Sequence, residues 1–76
     1  MSSEKWRLEI YRQQGNNEAL ISTHDFHSLV SLRIAIIENR GRSFVVREPE
    51  NAKAQDRVTL LDLRAQGFNI QIASSG

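Results

Sequence analysis

The chain has 76 residues, 39% hydrophobic and 25% charged, with a formal net charge of +1. This is the composition of one ordinary globular domain, too small to bury more than about 60–65% of its unfolded surface, and its charge gives no general pull toward a polyanion. The absence of cysteine excludes disulfides, thiolate metal sites and a cysteine nucleophile.

From the start, KWRLEIYRQ (5–13) alternates: Trp6, Leu8 and Ile10 point one way, Lys5, Arg7, Glu9 and Tyr11 the other. Period two with branched and aromatic residues predicts a half-buried strand. QGNN (14–17) is turn chemistry, and EALIS (18–22) returns as the second strand of a hairpin. In ISTHDFHSLVSLRIAIIENRG (21–41), Ser22 and Asp25 have capping-box spacing, and Ile21 and Phe26 sit as a hydrophobic staple. They predict a helix of about 16 residues, closed by Gly41 in the left-handed region. Phe26, Leu29, Val30, Ile34, Ile36 and Ile37 form its broad apolar arc. A rival reading makes LRIAIIE a strand, paired with SFVVRE across NRGR.

SFVVRE (43–48) is the third strand, ended by Pro49, which cannot donate to a ladder. ENAKAQD (50–56) is a polar connection. Thr59 with Asp62 again has capping-box spacing and Val58 with Leu63 staple spacing, so a short helix or 3₁₀ turn is expected over 60–66, then a strand over 68–74. The alternative is one hairpin over 58–73, turning at AQG.

The predicted fold class is α+β, a β-β-α-β-(short α)-β two-layer sandwich with one main helix on a mixed sheet of about four strands. In element order, in length, and in the helical turn TLLDL before the last strand, it is similar to the β-grasp, the fold of ubiquitin-like domains. Conjugated members of that family end in di-glycine; this chain ends IASSG, so the likeness does not imply modifier chemistry.

Positive charge gathers mid-chain. Residues 33–47 carry Arg33, Arg40, Arg42 and Arg47 against Glu38 alone, whereas each flank has three basic and four acidic residues. Arg40 suits the carbonyls at a helix C-terminus, and Gly41 the exit turn. The alternative is phosphate contact by Arg40, Arg42 and Arg47. Three such contacts give a salt slope of only about −2 to −3 and weak binding, and Tyr11 is the one aromatic expected outward for stacking. Arg33 falls within the apolar arc. It therefore either snorkels past the core rim, anchors a partner interface, or lies in a strand after all. His24 and His27 form the one metal-like pair, and zinc needs three or four ligands. No spacing sets a base against a nucleophile, and no Gly-rich phosphate loop is present. The sequence-level expectation is thus non-enzymatic, without cofactor or metal.

The opening MSSEKWRLEI lacks the apolar stretch of a secretory leader, and no run approaches the roughly 18 apolar residues of a membrane span. The chain is therefore expected to be soluble and cytoplasmic. It is read as a protein-interaction module, acting on a protein partner or as a homodimer, with weak RNA or DNA binding as the alternative. Its contact residues are expected among Arg33, Arg40, Arg42, Arg47, Tyr11 and Trp6. Of the strands, 43–48 is expected to be a protected edge, and the N-terminal strand the open edge for strand addition.

Overall fold

A computed structural model describes residues 5–73; the expectations for Ser74 and for the glycine at 76 lie outside them. The elements are β1 (Trp6–Gln14), β2 (Asn17–Phe26), α1 (Leu29–Glu38), β3 (Ser43–Arg47), α2 (Ala54–Ala65) and β4 (Asn69–Ala73). One mixed sheet runs β2-β1-β3-β4. β1 is antiparallel to both neighbours, and β3 pairs with β4 in parallel. The α+β two-layer expectation holds, and the rival strand reading of 32–38 does not.

Alternation in β1 decides the layers. Trp6, Leu8 and Ile10 are buried with Phe44 and Val46 of β3, Ile70 of β4, Leu32 and Ile36 of α1, and Leu60 and Leu63 of α2. Both helices therefore cover the same sheet face, leaving the other open among the described residues. Trp6 is 5% exposed. That corrects its expected contact role: its ring is core, held opposite Phe26 at the end of the hairpin.

The start of α1 is also corrected. Residues 21–26 belong to β2, and the helix spans 10 residues with Ser28 as its N-cap, the Oγ accepting from the Val30 N–H at 3.1 Å. Ser22 and Asp25 form no capping box. The long-range pairing outcompetes the local signal, because β2 running on to Phe26 satisfies the β1 backbone from Trp6 to Ile10 and sets Asp25 opposite Arg7.

The second helix is longer than expected. It begins at Ala54, inside the supposed polar connection, and Thr59 and Asp62 lie in its interior. Asp56, in its first turn, accepts the Lys53 N–H at 3.1 Å. Its end is a Schellman turn: the Gly67 N–H donates to the Arg64 carbonyl at 3.0 Å and the Phe68 N–H to Leu63 at 3.3 Å. Gly67 has φ +110°, which glycine adopts without strain.

Both edge expectations are reversed. β3 and β1 are interior strands, and the edges are β2 and β4. β2 carries a bulge: the register passes from Ile10↔Ser22 to Tyr11↔Leu20, so Ile21 is the extra residue. A bulge interrupts the flat edge that strand addition needs.

Candidate interaction surfaces

On the open sheet face, Arg7 and Arg47 stand directly opposite one another. Like charges there repel, and each is drawn to a carboxylate: Arg7 to Asp25 at 3.2 Å and Arg47 to Glu9 at 3.3 Å. Glu9 also accepts from the Tyr11 hydroxyl at 3.0 Å. That hydrogen bond, then burial and the Glu9 charge, raise the Tyr11 pKa above 10.0, against an opposing pull from Arg47. The sign follows. The bond stabilises the fold fully below the unfolded value near 10, and its contribution is lost as pH rises through the folded value. Tyr11 is the one tyrosine, so tyrosinate absorbance reads it alone. The midpoint should lie above 10.0 in the native chain and fall in Glu9→Gln; equal midpoints in the two proteins would refute the coupling.

The arginine trio does not converge. Arg42 precedes β3 and Arg47 ends it, five residues or roughly 16 Å along the strand. Arg47 is engaged with Glu9, whereas Arg40 and Arg42 belong to the opposite end of the sheet. There the C-terminal ends of α1 and α2 and the β1–β2 hairpin meet around a cleft of about 500 Å³, lined by Gln13, Arg40–Ser43 and Gln66–Asn69. The Arg40 guanidinium lies 5.6 Å from the Phe68 ring centroid. Phe68 and the side-chain amides were not foreseen as site residues. The signal available for Phe68 was its place directly after a helix-closing glycine.

The third surface is the outside of α1. Leu32 and Ile36 are fully buried, yet Val30, Ile34 and Ile37 are 67%, 49% and 37% exposed. The sequence reading placed these three on the core arc. The signal against that was the number of apolar residues, too many for one face of a ten-residue helix. Arg33 is exposed, between the buried side and this outer stripe, and forms no ion pair or hydrogen bond among the described residues. On α2, Val58 and Leu61 are exposed as well.

His24 and His27 are not on a helical turn. His24 is in β2, with Nε2 3.1 Å from the Ser22 Oγ and its ring 6.3 Å from Phe26, while His27 follows the strand. Among the described residues no group of three His, Asp or Glu side chains could hold a metal ion, and no helix is long and apolar enough to cross a membrane.

These features define a small two-layer α+β domain with one uncovered sheet face and an apolar helical exterior. In comparisons with known proteins, no family model, no curated protein and no solved structure matches the chain.

Proposed function

We propose that the chain is a non-enzymatic protein-interaction module that docks through the outer face of α1, with a second copy of itself as the simplest partner. The observation that carries this reading is the exposed stripe Val30, Ile34 and Ile37. Its spacing, i, i+4 and i+7, is that of a helix seam. Written as a heptad, Val30 and Ile37 take d and Ile34 takes a. Arg33 then falls at g and Glu38 at e. In a parallel pair, g of one helix meets e of the other five residues on, so Arg33 of each copy faces Glu38 of its partner. Charge complementarity thus favours a parallel twofold pair and gives the free Arg33 a role.

The helix is about 15 Å long, so its stripe covers only part of the roughly 800 Å² per partner that stable complexes bury. Val58 and Leu61 add apolar surface on the same layer, and the association belongs in the weak class. A cytoplasmic setting is part of this reading, in keeping with the cysteine-free composition.

Analytical ultracentrifugation over a concentration series tests the proposal. The wild type should show a concentration-dependent dimer, and Ile34→Asp should be monomeric at every concentration with unchanged far-ultraviolet circular dichroism. Arg33→Glu should weaken the dimer, and Arg33→Glu with Glu38→Arg should restore it. A wild type that stays monomeric, with no partner retained through the α1 face, would remove the basis for this function.

A further inference from the structure

The cleft at the helix ends is independent of the α1 stripe. Among the described residues its lining includes two arginines and no acidic residue. Arg7, Arg47 and Arg57 are each matched to a carboxylate. Arg42 has no such partner among the described residues, and Arg40 is held by the Phe68 ring, which orients its charge without neutralising it. The opposing field is that of two helix C-termini, each equivalent to roughly −0.5 charge. Two full positive charges outweigh the two halves within the lining, and the Asp62 carboxylate, which accepts from the Gln66 amide at 3.1 Å, offsets part of that surplus.

The surplus calls for an anion, and the walls narrow its class. A volume of about 500 Å³ is in the range of small-molecule sites and exceeds what a bare oxyanion fills. A guanidinium fork matches phosphate oxygens in pairs. The Arg40 guanidinium, 5.6 Å from the Phe68 ring centroid, supplies a flat, cationic surface of the kind on which an aromatic ring stacks. The Gln13 and Gln66 amide nitrogens already donate, to the Gly15 carbonyl at 3.2 Å and the Asp62 carboxylate at 3.1 Å, so each keeps one N–H and its amide oxygen for the polar edge of such a ring. Asn69 is already oriented, its Nδ2 donating to the Ser43 Oγ at 2.9 Å, which leaves its amide oxygen to accept.

We infer that this cleft binds a phosphate monoester carrying a flat heterocycle, the chemistry of a nucleoside monophosphate, with Arg42 holding the phosphate and the Arg40–Phe68 pair holding the ring. The same group occurs as a free nucleotide and at the phosphorylated end of a single strand.

The experiment is an amide chemical-shift titration of the full chain at low ionic strength. Its probes are adenosine monophosphate, inorganic phosphate and a 5′-phosphorylated single-stranded oligonucleotide. Adenosine monophosphate should shift the amides of Gly41, Arg42, Gly67 and Phe68 saturably, and bind about tenfold more tightly than inorganic phosphate, the difference being one stacking contact. Arg42→Ala should weaken it by about tenfold, as loss of a charged hydrogen-bonding partner does. Lys53→Ala removes the same charge at the far end of α2, about 18 Å away, and should leave the affinity unchanged. Tighter binding of the oligonucleotide at the same amides identifies a strand end as the source, and equal or weaker binding identifies the free nucleotide. The inference is overturned by shifts that do not saturate, by equal affinity for phosphate and adenosine monophosphate, or by equal losses in Arg42→Ala and Lys53→Ala. None of these results bears on the dimer, which is read by sedimentation.

Discussion

Phe44→Ala should remove about half of the chain's folding stability. Phe44 is 2% exposed in β3, paired with Ile10 on one side and Ile70 on the other. It sits where both halves of the molecule meet: β1 and β2 lie to one side of β3, β4 to the other. Emptying such a site costs about 3–5 kcal/mol, from lost transfer energy plus the cavity left behind. A domain of this length holds roughly 4–11 kcal/mol in all, so the loss takes about half of the margin. Chemical denaturation monitored by Trp6 fluorescence measures it directly. A midpoint within experimental error of the wild type would show that Phe44 does not carry the core. Phe44→Leu, which keeps most of the volume, should cost much less.

Arg57→Ala should be the most damaging change to a surface residue. Glu48 is the one buried charged side chain among the described residues. The Arg57 Nε donates to both its carboxylate oxygens, at 3.0 and 2.9 Å. The pair is lopsided: the Arg57 side chain is 54% exposed and that of Glu48 only 7%. Forming it is therefore cheap for the arginine, while losing it strands a carboxylate with little water in reach. The cost should be about 1–3 kcal/mol, toward the lower end because solvent can enter the vacated space. In the Arg57→Ala background, Glu48→Gln should recover part of the loss, since a neutral amide is less costly to leave buried. Urea denaturation of the wild type, both single variants and the double variant closes the cycle. Should Arg57→Ala change stability by no more than an ordinary exposed substitution, the pair has no structural weight. The contact also joins the end of β3 to α2, so its loss should loosen the second helix first, visible as faster amide exchange over 54–65.

Much of the fold was legible because its signals are local. Strict alternation in 5–13 defined β1 and its buried face. The glycines at 15, 41 and 67 mark turns and helix ends, and all three adopt positive φ. Helix starts were less legible. Ser22 with Asp25, and Thr59 with Asp62, have the spacing of caps, but a serine or threonine three residues before an acid also occurs by chance in strands and helix interiors. Only pairing with a partner strand shows which use prevails. The true start of α1 carries its own cap at Ser28, and the start of α2 relies on Asp56 rather than on a hydroxyl. Edge strands were illegible for a related reason: which strand lies outermost depends on where crossovers land, and no residue in β1 or β3 states its neighbours.

The candidate surfaces divide the same way. The concentration of arginine between 33 and 47 could be read directly, but its splitting could not. Strand β3 carries Arg42 and Arg47 to opposite ends of the sheet, and one becomes part of an ion pair while the other borders a cleft. The cleft itself joins segments more than 20 residues apart in sequence, from Gln13 to Arg40 to Asn69, so no window of the chain contains it.

By itself, then, the sequence determined the secondary-structure types, the inward face of β1, the glycine turns and the absence of thiol chemistry. These follow from side-chain periodicity and backbone conformation, which act over a few residues. Tertiary structure decided how far β2 runs, which strands are edges, which side of α1 is left uncovered, and which arginines are neutralised. Each of those depends on backbone hydrogen bonds and charges meeting across the sheet, where a single long-range partner outweighs a local preference of about 1 kcal/mol.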